Sequence, residues 1–324
     1  MRRRTIAVIG LVLAALVCDR LAIALTADPD VGHFLTSEGH SNYVHAYEAA
    51  LAEGPAPELT TDIPTTFGTA HVHGWNLNAT SAPIVLVPGR ASGAPMWNEL
   101  IPALPHDRPI YALDAIGDAG LSTQSVPLTS MEDQATWLAD VIRGLDIRQA
   151  HVVGHSFGGA TATALAQHHP ELVETLTLLE PAFVFAYPPA SVFFWGSVIV
   201  LPLPQTWIDR GLAEIGGTTI DDVRRRTPIS EMIDAGAQHY SAALPTPTPL
   251  SDDALHKLDM PVYVGVADTK SLAGGEKAVQ RASSLLPQPT VKLWENTTHS
   301  LPFQVAYPIG AELQIFWAEA ELST

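Results

Sequence analysis

The sequence predicts an α/β fold in which a mostly parallel, doubly wound sheet is covered by helices on both faces. Short apolar runs alternate with helical patterns from Thr66 onwards, and this alternation is typical of parallel strands joined by helices. It stops over residues 183–257, a stretch that is rich in aromatic side chains and too long for a loop. We therefore expect a helical cap there, and a core formed by residues 66–182 and 258–324.

The individual elements follow from local patterns. Short, largely apolar runs predict the strands, at residues 70–75, 84–87, 110–113, 151–153, 176–179, 262–266 and 291–294. Helical spacing of apolar residues predicts helices over 131–143 and 157–168, and an earlier helix that ends at Gly54. We interpret residues 25–65 as this N-terminal helical segment followed by a linker, GPAPELTTDIP.

The composition favours a globular protein with a small-molecule partner. The chain has 324 residues, of which 47% are hydrophobic and 16% charged, and its net charge is −17 at pH 7. This charge argues against binding to nucleic acid or to anionic membranes, because both attract basic surfaces. The sequence does not predict an oligomeric state.

The first 24 residues have the composition of an export signal. Arginines at positions 2–4 precede an apolar run, and the small residues Ala22 and Ala24 follow at cleavage positions. A cleaved signal peptide is favoured, because the uncharged run 5–18 spans only about 21 Å as a helix, against about 30 Å of bilayer core. An uncleaved membrane anchor is the alternative, and both export the remaining chain. The only cysteine, Cys18, lies in this segment, so the mature chain would lack a thiol.

Ser156 is the central residue of GHSFG, residues 154–158, the G-x-S-x-G pattern of a nucleophile elbow. Such a strand-to-helix turn strains the serine backbone, and its flanking positions must be small so that the strand and the helix can approach each other. An ordinary glycine-rich turn is the alternative for this motif taken alone. Catalysis by Ser156 would require partner residues elsewhere in the chain, because a serine hydroxyl needs a base that is itself oriented by a carboxylate.

Those partners are expected later in the chain, after the ends of strands. His299 lies in the loop after the last predicted strand, and Asp268 directly follows the strand before it. We expect His299 to be the base and Asp268 the carboxylate, because a negative charge beyond that strand faces the histidine loop. Glu180, at the end of an earlier strand, is the alternative acid.

The motifs together resemble the α/β-hydrolase fold serine hydrolases, over about residues 66–320. VPGRASGAPMW resembles the loop after the family's third strand, LDAIGDAGLS the segment after its fourth, GHSFGG the elbow, GVAD the acid turn and ENTTHSLP the histidine loop. The family's D-x-x-G-x-G-x-S pattern is interrupted here by Ala119, and Pro88 replaces the family's histidine. The resemblance implies a cap over the site and a Ser-His-Asp triad that works without a cofactor or metal.

The resemblance also implies two backbone donors for an oxyanion. Phe157 follows the nucleophile and supplies one N–H group. The other comes from the loop after the third strand, where Arg90 is the best match and Ala91 remains possible because the family's histidine is missing. The Arg90 side chain is expected to pair with Asp114 or Asp118.

Other residues of chemical interest have simpler interpretations. His71 and His73 have the spacing of a metal pair, but no third ligand is evident, so we expect exposed strand positions. His155 is expected to shape the elbow. The aromatic residues of the cap are more often part of a core than of a substrate site, but some of them must cover the serine. The candidates for lining the substrate pocket, in the third-strand loop and the cap, are Trp97, Phe183, Phe185 and Trp195.

The predicted function is hydrolysis of a small carboxylic ester with an apolar group, through an acyl-enzyme on Ser156. Thioesterases, lactonases, amidases, C–C hydrolases and perhydrolases use the same triad, so these activities remain open. A non-catalytic binding protein on the same fold is a further alternative. Such proteins usually lack a member of the triad, and none is missing here.

Overall fold

A nine-stranded mixed sheet lies at the centre of the computed structural model, which describes residues 30–201 and 203–322. In chain order the strands of the described residues are β1 (His33–Phe34), β2 (Leu59–Thr65), β3 (Gly68–Trp75), β4 (Ile84–Val87), β5 (Ile110–Leu113), β6 (Thr123–Gln124), β7 (Ala150–His155), β8 (Val173–Leu179), β9 (Tyr240–Ser241), β10 (Val262–Ala267) and β11 (Pro289–Trp294). β1 and β9 pair with each other in a separate antiparallel ribbon.

The strand order in the large sheet is β11-β10-β8-β7-β4-β5-β3-β2, with β6 paired to β3. Neighbouring strands from β11 to β5 are parallel, whereas β3 runs antiparallel to β5 and to β2. The prediction of a mostly parallel sheet is therefore confirmed. Because β7, β8 and β10 are adjacent and parallel, the loops that follow them meet at one edge of the sheet.

Helices cover both faces of the sheet. In the part of the chain that the structure describes they are α1 (Ser37–Glu53), α2 (Met131–Gly144), α3 (Phe157–His168), α4 (Ala190–Ile199), α5 (Gln205–Gly216), α6 (Ile220–Arg224), α7 (Pro228–His239), α8 (Asp252–Leu255), α9 (Glu276–Leu285), α10 (Leu301–Gln304) and α11 (Ala306–Glu321). Side-chain caps fix where several of them begin. Thr36 accepts the Gly39 N–H at 3.0 Å before α1, and Ser130 forms a capping box with Asp133 before α2.

Two apolar clusters hold these helices to the sheet. On one face, Trp137 of α2 and Leu165 of α3 are fully buried against the strands. On the other face, Leu313 and Trp317 of α11 are buried in the same way. Since each such side chain contributes about 1.5–3 kcal/mol on burial, the packing of both faces stabilises the sheet that carries the predicted site.

The helical insertion begins after β8, and the chain returns to the sheet at β10, with α4 to α8 between them. Tyr43 and Tyr47 of α1 share an apolar cluster with Met232 of α7. The ribbon of β1 and β9 joins the same two segments through the backbone. The N-terminal segment from β1 onwards is thus packed against the insertion.

The stretch predicted as a linker contains a strand. β2 pairs with β3 along its whole length, and Ile63 of β2 is buried in the core. Its threonines are β-branched and suit an extended backbone. Pro64 and the acidic residues concealed this pattern in the sequence, because a proline is tolerated on an edge strand where no neighbour needs its N–H.

The predicted export signal or anchor, residues 1–24, lies outside the described residues. Of the helices within residues 30–201 and 203–322, none has both the length and the apolar composition needed to cross a bilayer. From Val31 onwards the chain forms one compact unit.

A polar network attaches the last helix to the sheet at the end remote from the elbow. The Arg108 guanidinium donates to both carboxylate oxygens of Glu321, at 2.5 and 2.9 Å. His151 Nε2, near the start of β7, lies 3.1 Å from the same carboxylate. The Arg108 side chain is only 7% exposed, so without Glu321 its positive charge would be buried and uncompensated. The hydrogen bonds from Arg108 lower the pKa of Glu321 to about 2.

Replacing Glu321 with Gln should destabilise the fold and change its response to acid. A carboxylate whose pKa falls from 4.5 to about 2 on folding stabilises the protein fully above about pH 5, and this contribution is lost as the pH falls towards 2. We expect the free energy of unfolding at pH 7 to drop by about 1.5–3 kcal/mol, and its slope between pH 5 and 2 to flatten. Urea unfolding across this pH range measures both quantities.

The matched control is Glu48→Gln, which removes an exposed carboxylate from α1. This variant should stay within about 0.5 kcal/mol of the parent protein at pH 7. An identical pH dependence for Glu321→Gln and the parent would contradict the assigned contribution of Glu321.

Candidate active site

The backbone at Ser156 is strained in the way that the G-x-S-x-G motif predicts. Ser156 lies between the last residue of β7 and the first residue of α3, with φ 54° and ψ −121°. A side chain at Gly154 would collide with the carbonyl oxygen of Gly158, and one at Gly158 would collide with that of Pro88. These two glycines therefore allow β7, α3 and the end of β4 to approach closely enough to hold the turn.

Ser156 and His299 are in contact, as expected. His299 lies in the loop between β11 and α10, and its Nε2 is 3.0 Å from Ser156 Oγ. Ser156 is 9% exposed and His299 7% exposed, so both are largely shielded from water. With the proton on Nδ1, the Nε2 lone pair faces the serine hydroxyl and can accept its proton.

Glu180, and not Asp268, is the carboxylate in contact with His299. The Nδ1–H of His299 donates to Glu180 Oε2 at 3.1 Å. Glu180 follows β8 directly, is fully buried and has φ 49°, in the left-handed region. The hydrogen-bonded side chains Ser156, His299 and Glu180 thus connect the segments that follow three different strands, β7, β11 and β8.

Further donors satisfy the buried carboxylate of Glu180. Its Oε1 accepts the Ala267 N–H at 2.8 Å and the Ser271 hydroxyl at 2.7 Å, and its Oε2 also accepts the Leu272 N–H at 2.8 Å. Burial alone would raise the pKa of Glu180, but the hydrogen bond and charge of His299, together with these donors, outweigh it and hold the pKa below its usual value. Glu180 is therefore ionised at neutral pH.

Asp268 has a different place from the one predicted. It is exposed, and its carboxylate accepts the N–H groups of Asn296 at 2.9 Å and Thr297 at 3.2 Å. The Asn296 N–H is the main cause that lowers the pKa of Asp268. The expected contact between Asp268 and His299 is thus wrong, and Asp268 instead caps the loop that carries His299.

Sequence reasoning favoured the wrong carboxylate, because each of the two follows one of two adjacent parallel strands. β8 lies between β7 and β10, and the Glu180 N–H donates to the carbonyl of Gly265 in β10 at 2.8 Å. The left-handed backbone of Glu180 and its donors on the loop after β10 turn its side chain towards His299. Neither feature has a signature in the local sequence.

The expected oxyanion donors lie on both sides of Ser156. Phe157 is the first residue of α3, so its N–H has no acceptor within the helix. A side chain at Gly89 would lie 3.2 Å from Ser156 Cβ, which places the loop before Arg90 against the nucleophile. The N–H of Arg90 has no acceptor among the described residues.

Ala91 does not offer the second donor, because its N–H is already bound to Asp118 Oδ2 at 3.0 Å. The Nε atom of Arg90 pairs with the same oxygen at 3.0 Å, as one of the two predicted pairings requires. The Arg90 guanidinium also lies 5.7 Å from the centre of the Phe157 ring. The side chains of the two residues expected to carry the donors, Phe157 and Arg90, are therefore in contact with each other.

His155 contacts the loop that carries His299. Its Nε2–H donates to the backbone carbonyl of His299 at 3.0 Å, and the two rings lie 4.8 Å apart. Burial, and then the charge of His299, lower the pKa of His155 to about 3, so the ring is neutral at pH 7. His155 thus contacts the loop that carries His299, whereas the expectation that it shapes the elbow stays a prediction.

The insertion contacts the histidine loop as well. The carbonyl of Gly216, at the end of α5, accepts the Ser300 hydroxyl at 2.7 Å and lies 3.4 Å from the Thr298 hydroxyl. On the other side, a side chain at Gly236 of α7 would lie 2.9 Å from the Ala91 carbonyl. The helices of the insertion therefore rest on both loops that flank Ser156.

The predicted pocket aromatics are placed elsewhere. Trp97 is 0% and Phe185 3% exposed, because both are packed in the apolar core, so their assignment to a pocket is wrong. Phe183 lines a groove of about 250 Å³ over the outer face of α3, beside Ala160 and Pro249. Trp195 packs against Phe194 and Arg210 within the insertion, at 5.0 and 5.3 Å.

The histidines of β3 serve as hydrogen-bonding partners. His71 Nδ1 is 2.7 Å from the Asp62 carboxylate, as part of the edge pairing. His73 is buried, contrary to expectation, and contacts the hydroxyls of Tyr47 at 3.0 Å and Thr60 at 2.9 Å. Its ring points into the interface between the sheet and α1, which the alternation of β3 alone does not reveal.

One group of potential metal ligands occurs in the described residues. His151, Glu174 and Glu321 place ligand atoms within 4.8 Å of one another. The Arg108 guanidinium already supplies a positive charge there, since it bonds to Glu321 and lies 3.1 Å from His151 Nε2. His151 is at the start of β7, whereas Ser156 follows its end, so this group is remote from the elbow.

Comparison with known proteins agrees with this architecture. Residues 82–213 match the family model of the alpha/beta hydrolase fold. Carboxylesterase YbfK of Bacillus subtilis (strain 168) is 26% identical over 282 residues, which cover 85% of this chain and 93% of that protein. The similarity thus extends over both the sheet and the insertion.

Solved structures show the same likeness. The crystal structure of carboxylesterase CesB (YbfK) from Bacillus subtilis has a TM-score of 0.78 and 23% identity, covering 86% of this chain and 98% of that one. Naproxen esterase (carboxylesterase NP) from Bacillus subtilis has a TM-score of 0.79 and 22% identity, covering 87% and 99%. Structural similarity at this level of sequence identity shows the fold alone. With the strand order, the strained serine turn and the match over residues 82–213, we conclude that the chain has the α/β-hydrolase fold.

Proposed function

We propose that this protein is a serine hydrolase that cleaves small carboxylic esters through Ser156, His299 and Glu180. The observation that carries the proposal is the continuous hydrogen-bonded chain from Ser156 Oγ through His299 to the ionised, buried Glu180. A serine hydroxyl alone is a weak nucleophile, and this arrangement supplies both a base and a carboxylate to orient it.

In the acylation half of the proposed reaction, His299 Nε2 takes the proton of Ser156 as Oγ attacks the ester carbonyl carbon. The carbonyl oxygen becomes an oxyanion, held by the N–H groups of Phe157 and Arg90. His299 then donates the proton to the alkoxide as the bond between the carbonyl carbon and the alcohol oxygen breaks. An alcohol leaves, and the acyl group remains on Ser156.

In the second half, His299 takes a proton from water, whose oxygen attacks the acyl carbon. The oxyanion forms at the same two donors, and collapse returns the proton to Ser156 Oγ as the carboxylic acid leaves. Glu180 accepts the Nδ1–H of His299 throughout and stabilises the imidazolium that forms in each half.

Esters are the favoured substrates because the relatives that match most of the chain are named as esterases. The apolar group proposed for the substrate rests on the aromatic-rich composition of the insertion, residues 183–257. Thioester, lactone, amide and C–C bond cleavage use the same residues, so a substrate panel decides among them. The N-terminal sequence supports the proposal that the enzyme acts outside the cytoplasm.

Ser156→Ala should abolish labelling by a fluorophosphonate probe and lower kcat on p-nitrophenyl esters by about 10⁶-fold, because the nucleophile is removed. Gel fluorescence and ester hydrolysis by the mature protein measure these effects. Ser284→Ala is the control, since that hydroxyl is exposed on α9 and bonds only within its helix. A folded parent protein that neither reacts with the probe nor hydrolyses any ester of the panel would support a non-catalytic role.

Glu180→Gln should lower kcat by about 10⁴-fold with little change in KM, because a neutral amide cannot stabilise the imidazolium. Asp268→Asn should lower kcat less than about tenfold, since the amide oxygen can still accept an N–H of the histidine loop. Steady-state kinetics at temperatures well below each variant's melting temperature compare the two. A larger loss in Asp268→Asn than in Glu180→Gln would reassign the acid to Asp268.

A further inference from the structure

Two buried carboxylates anchor the loop that carries Arg90, here called the oxyanion loop and defined as residues 88–94. Asp118 Oδ2 accepts the Ala91 N–H at 3.0 Å, and Asp114 Oδ1 accepts the Ala94 N–H at 2.7 Å. Ala91 has φ 59°, a conformation that a residue with a side chain adopts only when its surroundings impose it. Arg90, whose N–H has no acceptor among the described residues, directly precedes Ala91, the residue that Asp118 holds.

Two tyrosines of α1 bind Asp114 and the segment that carries Asp118. The Tyr47 hydroxyl donates to Asp114 Oδ1 at 3.1 Å, and the Tyr43 hydroxyl donates to the Ala119 carbonyl at 3.1 Å, one residue beyond Asp118. Both tyrosines are fully buried or nearly so. They also touch the loop itself, because a side chain at Gly93 would lie 2.9 Å from the Tyr47 ring and 3.2 Å from the Tyr43 hydroxyl.

The hydrogen atoms of this network can be assigned in a consistent order. Burial, and then the charge of His71, lower the pKa of His73 to about 4, so its ring is neutral at pH 7. The Thr60 hydroxyl can then donate to His73 Nδ1, and His73 Nε2–H to the oxygen of Tyr47. This order leaves the Tyr47 proton for Asp114, so the strands β2 and β3 orient the hydroxyl that supports the oxyanion loop.

We propose that α1 is a positioning element of the active site, and that the hydroxyls of Tyr43 and Tyr47 set the orientation of the Arg90 N–H towards Ser156. This inference rests on the proposed function. Neither tyrosine touches the reacting atoms. Their effect passes through Asp114, Ala119 and the oxyanion loop, so the part of the chain before β2 belongs to the catalytic architecture and does more than cover it.

The test is the double variant Tyr43→Phe/Tyr47→Phe, with both single variants beside it. Phenylalanine keeps the rings and their packing but removes the two donors, so the oxyanion loop loses its support without a cavity. We expect kcat and kcat/KM to fall together by about tenfold, a fraction of the 10²–10³-fold loss of a whole oxyanion donor, with KM unchanged. The inhibition constant of a trifluoromethyl ketone analogue of the best ester should rise by the same factor.

A role in packing alone would lower the melting temperature without this change in kcat, so activity is measured well below the melting temperature of each variant. Tyr307→Phe, on α11 and 65% exposed, is the control and should match the parent protein in kcat. Unchanged kcat and inhibitor binding in the double variant of an active enzyme would overturn this inference and leave the proposed function intact. A parent protein without hydrolase activity would overturn both.

Discussion

The hydrogen bond between Glu180 and His299 is the contact on which the rest of the site depends. A buried carboxylate is costly unless donors surround it, and the donors to this one come from the end of β10, the loop after it and the histidine loop. The Ser156 N–H donates to the carbonyl of Leu179, directly before Glu180, so the serine turn is attached to the same point. Glu180 and the residue before it thus link the serine turn, the loop after β10 and the histidine loop.

The elbow imposes a second constraint, which is steric. The turn at Ser156 exists because Gly154 and Gly158 remove the side chains that would separate β7, α3 and the end of β4. The oxyanion loop follows β4, so the same close approach brings Gly89 against Ser156. The proposed nucleophile and the proposed oxyanion donors are therefore positioned by backbone packing at the centre of the sheet.

The sequence was sufficient to locate residues whose roles are encoded locally. The strand runs, the helix after Ser156 and the contact of Ser156 with His299 follow from apolar periodicity and from a motif with a steric cause. The choice between Glu180 and Asp268 depends on backbone angles and on donors from another strand, which no local pattern carries. The burial of Trp97 and Phe185 likewise depends on which face of the fold their segments take.

The contacts of the N-terminal segment were even harder to predict from local sequence patterns. Helical spacing located α1, but the hydroxyl contacts of Tyr43 and Tyr47 reach residues that are 76 and 67 positions away. The strand β2 was not predicted because it contains a proline, Pro64, and an acidic residue, Asp62. Long-range contacts of this kind make the region before β3 a part of the fold that only the three-dimensional structure reveals.

The ribbon of β1 and β9 has a consequence for the maturation of the chain. Since His33 and Phe34 are paired with the insertion, and α1 begins three residues later, a leader peptidase that cuts after residue 24 would leave every described contact whole. A cut beyond Phe34 would instead detach the insertion from its N-terminal partner. Backbone pairing at His33 and Phe34 would thus limit any processing of the N-terminus, in addition to the recognition sequence of a peptidase.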